Sequence, residues 1–198
     1  MQVKNLIFLI LFIWSCTINN SEADELLNQS IPEIYTLYSS SNITTQNENV
    51  FLDGKKYSGY LYGLQANNID TMFIQSYYDG LQSGVSKKWF DNEQIMEERL
   101  YFNGKKHGKQ IAFWNNGNKK FEFTAYNDIY EGEMKEWNEA GNLIHLANYK
   151  NGQENGTQKL WYDNGKIRAN YVIVDGKRFG LLGTKNCTNV SDSIFINR

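Results

Sequence analysis

The chain has 198 residues, 20 Lys and Arg against 22 Asp and Glu, a net charge of −2 at pH 7, and an aromatic content of 15%. A mildly acidic chain without a basic stripe is a poor fit to nucleic acid, whose phosphates need clustered Lys and Arg. Its 2 cysteines exclude a disulfide-rich scaffold and a zinc site of the paired CxxC kind. The length suits one domain.

The N-terminus carries Lys4 and the unbroken apolar run Leu6 to Trp14, followed by Ser15-Cys16. That run is too short to span a bilayer and fits the core of a signal peptide, so residues 1–15 are expected to direct export. Ile13-Trp14-Ser15-Cys16 resembles a bacterial lipobox, in which the cysteine becomes the lipidated first residue. The aliphatic and small residues before Cys16 match, whereas Trp14 departs from the small residue usual there; ordinary cleavage between Ser15 and Ser21 is the alternative. The expectation is a membrane-anchored lipoprotein of the cell envelope, facing periplasm or exterior, or else a secreted protein. With Cys16 acylated, Cys187 is an odd thiol, open to intermolecular pairing or to partial burial in a C-terminal cap of residues 184–198. Residues 16–50, rich in Ser, Asn, Thr and Glu, read as a flexible tether with room for one strand near Tyr35 to Tyr38.

From residue 51 onward the chain repeats. Gly59, Gly84, Gly108, Gly132, Gly156 and Gly180 fall at a period of about 24 residues. A second column runs Gly54, Gly80, Gly104, Gly152 and Gly176, with Asp128 in the glycine's place in the fourth copy, and a third holds Gly117, Gly141 and Gly165. Five residues after the first column come Leu64, Trp89, Phe113, Trp137 and Trp161. In the copy at residues 151–171, Asn151-Gly152 and Asn164-Gly165 bracket runs of β-formers. Both pairs suit type I′ turns, whose two central residues need positive φ. The single proline, Pro32, precedes the repeats, so no ladder donor is lost within them. The reading is all-β: an elongated, single-layer antiparallel β-meander of about six 24-residue, two-stranded repeats over residues 51–183.

The stretches NGKKHGKQIAFWNNGNKKFEF (Asn103 to Phe123), DGLQSGVSKKWFDN (Asp79 to Asn92) and NGQENGTQKLWYDNGKIRANY (Asn151 to Tyr171) resemble MORN repeats of the bacterial variant type. The first copy departs from the pattern at Gly63-Leu64 and Asn67-Asn68, and the sixth breaks off after Gly183, as end caps do. The resemblance implies a non-catalytic repeat scaffold binding a protein or a membrane surface, and bacterial relatives often carry antitoxin-like or membrane-associated labels.

No catalytic arrangement stands out. His107 and His145 are the only histidines, and His107 fills a slot that other copies give to Ser58, Ser83, Glu131, Asn155 and Phe179, which marks a turn position. Asp53, Asp79, Asp128 and Asp175 recur at turns without clustering the oxygens that calcium needs, so neither metal nor cofactor is expected. The ladder Trp89, Phe113, Trp137 and Trp161 is either the stacked core that ties hairpins together or an exposed platform for peptide, glycan or lipid. Lys55-Lys56, Lys105-Lys106 and Lys177-Arg178 sit at hairpin tips, where a comb of cations could touch phosphate head groups. The expected partner is a protein, with lipid or glycan binding through the ladder and tips as the alternative.

Overall fold

The computed structural model describes residues 30–183; the stretch read as a signal peptide, Cys16, Cys187 and the expected C-terminal cap all lie outside the described residues. Among the described residues every regular element is a strand. The main sheet runs, neighbour by neighbour, through Tyr35–Leu37, Gly59–Leu64, Thr71–Tyr78, Gly84–Trp89, Ile95–Phe102, Lys105–Phe113, Lys119–Tyr126, Ile129–Trp137, Leu143–Lys150, Gly156–Trp161, Ile167–Val174 and Lys177–Leu181. Sequence order equals spatial order after the first step, so the architecture is an open antiparallel meander. The first strand is the exception, pairing parallel with Gly59–Leu64.

The segment read as a tether holds more than that one strand. Ile43–Gln46 and Asn49–Leu52 form a hairpin that Lys55–Lys56 extends into a separate three-stranded sheet. The Asp53-Gly54 turn of the first repeat thus belongs to this small sheet and not to the meander. Val50 and Tyr57 come down on Leu61 and Tyr77 of the main sheet, with Ile43 and Leu52 packed alongside. A single-layered sheet cannot bury its own end, and this hairpin supplies the cover.

The turns divide into two kinds. At Asp53-Gly54, Asp79-Gly80, Asn103-Gly104, Asn151-Gly152 and Asp175-Gly176 both central residues have φ between 46° and 84°, the type I′ signature. Asn127-Asp128 adopts the same geometry at 51° and 68°, which Asp tolerates at modest cost. The turns on the opposite side differ from the sequence reading. Of the Asn164-Gly165 pair only Gly165 has positive φ, and its amide donates to the Tyr162 carbonyl at 2.8 Å. Gly117 and Gly141 repeat that arrangement, so these are wider loops with a left-handed glycine.

Successive type I′ turns are tied together, and in three copies that explains the residue before the repeat glycine. The Gly104, Asp128 and Gly152 amides donate to the Gln82, Lys106 and Tyr130 carbonyls of the copy before, at 2.8, 3.0 and 3.0 Å. The neighbouring amides of Asp79, Asn103 and Asn151 are received by Ser58 Oγ, Ser83 Oγ and Glu131 Oε2 at 2.8, 3.1 and 2.8 Å. What this slot needs is an acceptor for the next turn, a requirement several polar residues meet. Ser83 is fully buried, so Ser83→Ala strands an amide and is expected to cost about 1–2 kcal/mol, read as a lowered urea midpoint. Ser58→Ala, at a more exposed turn, should cost less.

Alternation along each strand separates two faces. One carries the core: Leu61, Ser86, Gln110, Met134 and Gln158, two residues after the column glycines, are all buried. Register places Met134 opposite Ala147 and Leu160 opposite Ala169, so large side chains cover small ones there, while Gln110 faces Phe123. Phe123, Ala125, Met134 and Ala147 form one cluster, flanked by Phe121 and Tyr149. The other face is polar, crossed by Lys87–Glu98 at 2.9 Å and Lys109–Glu122 at 3.3 Å.

Candidate interaction face

Trp89, Phe113, Trp137 and Trp161 each stand one residue beyond a core-facing position, so they project from the polar face. Each also sits where the pairing register shifts, opposite Ile95, Lys119, Leu143 and Ile167 respectively. All four are half-buried. Among the described residues no ring contact joins them. The rings that do pack on one another belong to the other face: Phe123 meets Tyr130 at 4.8 Å between centroids, and Tyr130 meets Tyr149 at 5.1 Å. Of the two readings of the Trp and Phe column, the stacked core does not fit these rings. The core lies on the opposite face.

What holds the row in place is polar. The Trp114 indole Nε1–H donates to the Trp137 carbonyl at 3.0 Å, and Gln65 Nε2 donates to the Trp89 carbonyl at 3.3 Å, each bond reaching into the next copy. Lys119 Nζ lies 5.5 Å from the centre of the Trp137 ring and Lys120 Nζ 4.5 Å from that of Trp114. Such cation–π contacts at partly exposed rings contribute on the order of 0.5–1 kcal/mol each. Lys119 also binds Glu122 at 2.7 Å, and that hydrogen bond holds the Glu122 carboxyl below its ordinary value.

The cationic hairpin tips are already partly engaged. Lys56 Nζ pairs with Asp79 at 2.9 Å and Arg178 with Glu154 at 2.9 Å. Both acids come from the next or preceding copy, so these contacts tie repeats together and leave a broken comb. The turn glycines Gly59, Gly84, Gly108, Gly132, Gly156 and Gly180 all have positive φ, but they sit at kinks just after the turns and not in them.

Two charged clusters on the core face, one around Glu97 and one joining Glu136 to His145, were not singled out in the sequence. Burial works against ionisation of Glu97, yet Lys88 at 2.9 Å and Arg99 at 3.0 Å outweigh it, and the carboxyl falls below its ordinary value. The Arg99 guanidinium rests 4.7 Å over the Phe121 ring. Glu136 Oε2 lies 3.2 Å from His145 Nδ1, and that contact lowers the Glu136 carboxyl in the same way. Sequence spacing held the signal: Glu97 and Arg99 are two apart on one strand, and Glu136 faces His145 across the Gly141 loop. His107 packs against Tyr126 at 4.7 Å with its Nδ1 buried and without a hydrogen-bond partner.

A folded carboxyl lowered below 4.5 contributes stability that is fully present above the unfolded value and is lost as pH falls through the folded one. With Glu97, Glu122 and Glu136 all lowered, the thermal midpoint is expected to stay level from pH 8 to about 5 and to fall below about pH 4.5. Glu97→Gln should flatten part of that fall.

Against known families, the model described as MORN repeat variant matches residues 130–151 and 154–171. No curated protein matches the chain. The two matched stretches are similar to MORN-variant repeats, and the same type I′ turns and left-handed column glycines recur in the copies before them.

Proposed function

We propose that the repeat sheet is a non-catalytic interaction scaffold that docks a protein on the face bearing Trp89, Phe113, Trp137 and Trp161, and that it works in the cell envelope, exported and held by lipid on Cys16. The observation that carries the docking face is the placement of these rings. They recur in four successive copies, remain half-exposed, and stand on the face opposite the core, which packs without them. Aromatic residues set among charged side chains are the composition that protein interfaces favour at their anchors. Export and anchoring rest on Lys4, the apolar run Leu6 to Trp14 and the lipobox-like Ile13 to Cys16.

The test uses the natively expressed full chain. A partner crosslinked to wild type is expected to be lost in the Trp137→Ala, Trp161→Ala double variant with the circular dichroism spectrum unchanged, while His107→Ala retains it. Equal capture by both variants would remove the aromatic face from the proposal. Intact mass and detergent-phase partitioning of wild type beside Cys16→Ser report the anchor separately: an acyl increment that disappears with the thiol is expected, and two equally soluble proteins would refute it.

A further inference from the structure

A cleft of about 410 Å³ opens between the small sheet and the first strands of the meander, lined by Tyr38, Thr45, Glu48, Phe73, Gln75 and Lys88, with Val50 and Tyr77 completing its wall. It lies on the core side, where the tip of the Ile43–Leu52 hairpin overhangs the strand Thr71–Tyr78. That tip is fixed by its own geometry, since Asn47 and Glu48 are the two central residues of a type I′ turn with φ of 47° and 66°.

We propose that this cleft is a binding site for a neutral, hydroxyl-rich ring, a pyranose sugar. Its size is within the ordinary range of small-molecule sites, about 300–1,000 Å³. Three aromatic rings contribute to the wall, with Tyr38 set edge-on to Phe73 at 5.7 Å between centroids. Rings so placed offer the apolar surface that the C–H face of a sugar covers.

The polar groups decide between ligand classes. Gln75 Oε1 accepts the Tyr77 hydroxyl at 3.2 Å, which fixes the amide, and among the described residues its N–H donors have no partner. Tyr77 holds that proton firmly, because burial pushes its hydroxyl up to about 12. Thr45 adds a hydroxyl, both donor and acceptor. Lys88 is neutralised by Glu97 at 2.9 Å, so it does not call for an anion. Among the described residues Glu48 has no ion-pair partner, and its carboxylate can accept from two neighbouring hydroxyls. Donors and acceptors around an aromatic wall, with little net charge, match a sugar better than a phosphate or a carboxylic acid. The site is separate from the Trp and Phe row, which projects from the opposite face.

The test is ligand-observed and amide-shift NMR on the full chain with methyl glucoside, N-acetylglucosamine and cellobiose, each taken to tens of millimolar, and with choline as a cationic control. One of the sugars is expected to shift the Gln75 side-chain amide and backbone amides near Thr45 and Phe73, leaving the Trp137 and Trp161 indoles unmoved. Gln75→Ala should weaken that binding about tenfold or more, the loss of one to two hydrogen bonds. Glu48→Gln, at an exposed turn and without risk to folding, should weaken it measurably at an unchanged thermal midpoint. Absence of shifts with all three sugars, shifts confined to the indoles, binding indifferent to both substitutions, or a response to choline alone would each overturn the proposal.

Discussion

Leu61→Ala is expected to destabilise the protein by about 2–5 kcal/mol, the range for deleting three carbons from a closely packed interior. Leu61 is fully buried, enclosed by Val50, Tyr57 and Tyr77, with Ile43 and Leu52 around them. The site cannot collapse easily, because its cover is a hairpin of the small sheet whose own turn is fixed. In a stack of repeats each copy touches mainly its neighbours, so the damage should stay local before it becomes global. Amide exchange should therefore accelerate first in Gly59–Leu64 and Thr71–Tyr78, with Leu143–Lys150 and Ile167–Val174 still protected. Ile111→Ala, on the polar face between Glu98 and Glu122, removes a half-exposed side chain and should cost under about 1.5 kcal/mol. Equal losses at the two positions would mean that the small sheet does not act as a cover.

The repeat and its β-meander were legible because turn chemistry is local. Asn-Gly and Asp-Gly specify type I′ geometry from two residues, and a strand between two such turns has little choice. Asp128 was legible for the same reason, since the backbone there needs a residue that tolerates positive φ. The faces were harder to read. Trp137 and Trp161 look like core by size, but a register shift beside them and a count of two from the column glycine give the core to Met134 and Gln158. A buried Gln column is invisible to a hydrophobicity pattern: Gln110 earns its place by donating to the Leu100 carbonyl at 2.8 Å, and Gln158 by donating to that of Asn148 at 2.7 Å. The small sheet was hidden for another reason. Its strands read Ile-Thr-Thr-Gln and Asn-Val-Phe-Leu, the first polar and both only four residues long, and they gain their burial from tertiary contact with Leu61 and Tyr77. The cleft depends on that packing and carried no sequence signal at all.

Gly59→Ala against Gly132→Ala separates two costs that the repeat pattern makes look alike. Both glycines belong to the same column and have positive φ, 147° at Gly59 and 74° at Gly132. A Cβ at Gly132 would meet nothing within 4 Å, so only backbone strain remains, about 1 kcal/mol. A Cβ at Gly59 would stand 2.6 Å from the Ile34 carbonyl oxygen and 2.7 Å from the Tyr57 hydroxyl. Those two atoms are bonded to each other: the hydroxyl donates to the Ile34 carbonyl at 2.9 Å, with Thr36 Oγ1 at 3.2 Å and the Tyr60 carbonyl at 3.1 Å. Neither is the end of a flexible chain free to swing aside, because the carbonyl is backbone and the Tyr57 ring is part of the buried cluster. Relief requires the parallel strand Tyr35–Leu37 to part from Gly59–Leu64, losing its ladder and the Tyr60 amide's bond to Ile34 at 2.7 Å. The expected cost is about 3 kcal/mol or more, combining positive-φ strain with buried hydrogen bonds left unmade. Tyr57→Phe removes the hydroxyl and should recover part of that loss in the double variant, which a cycle of urea midpoints would read as coupling. If Gly59→Ala costs no more than Gly132→Ala, the parallel strand is not seated by this contact, and φ alone sets the glycine column.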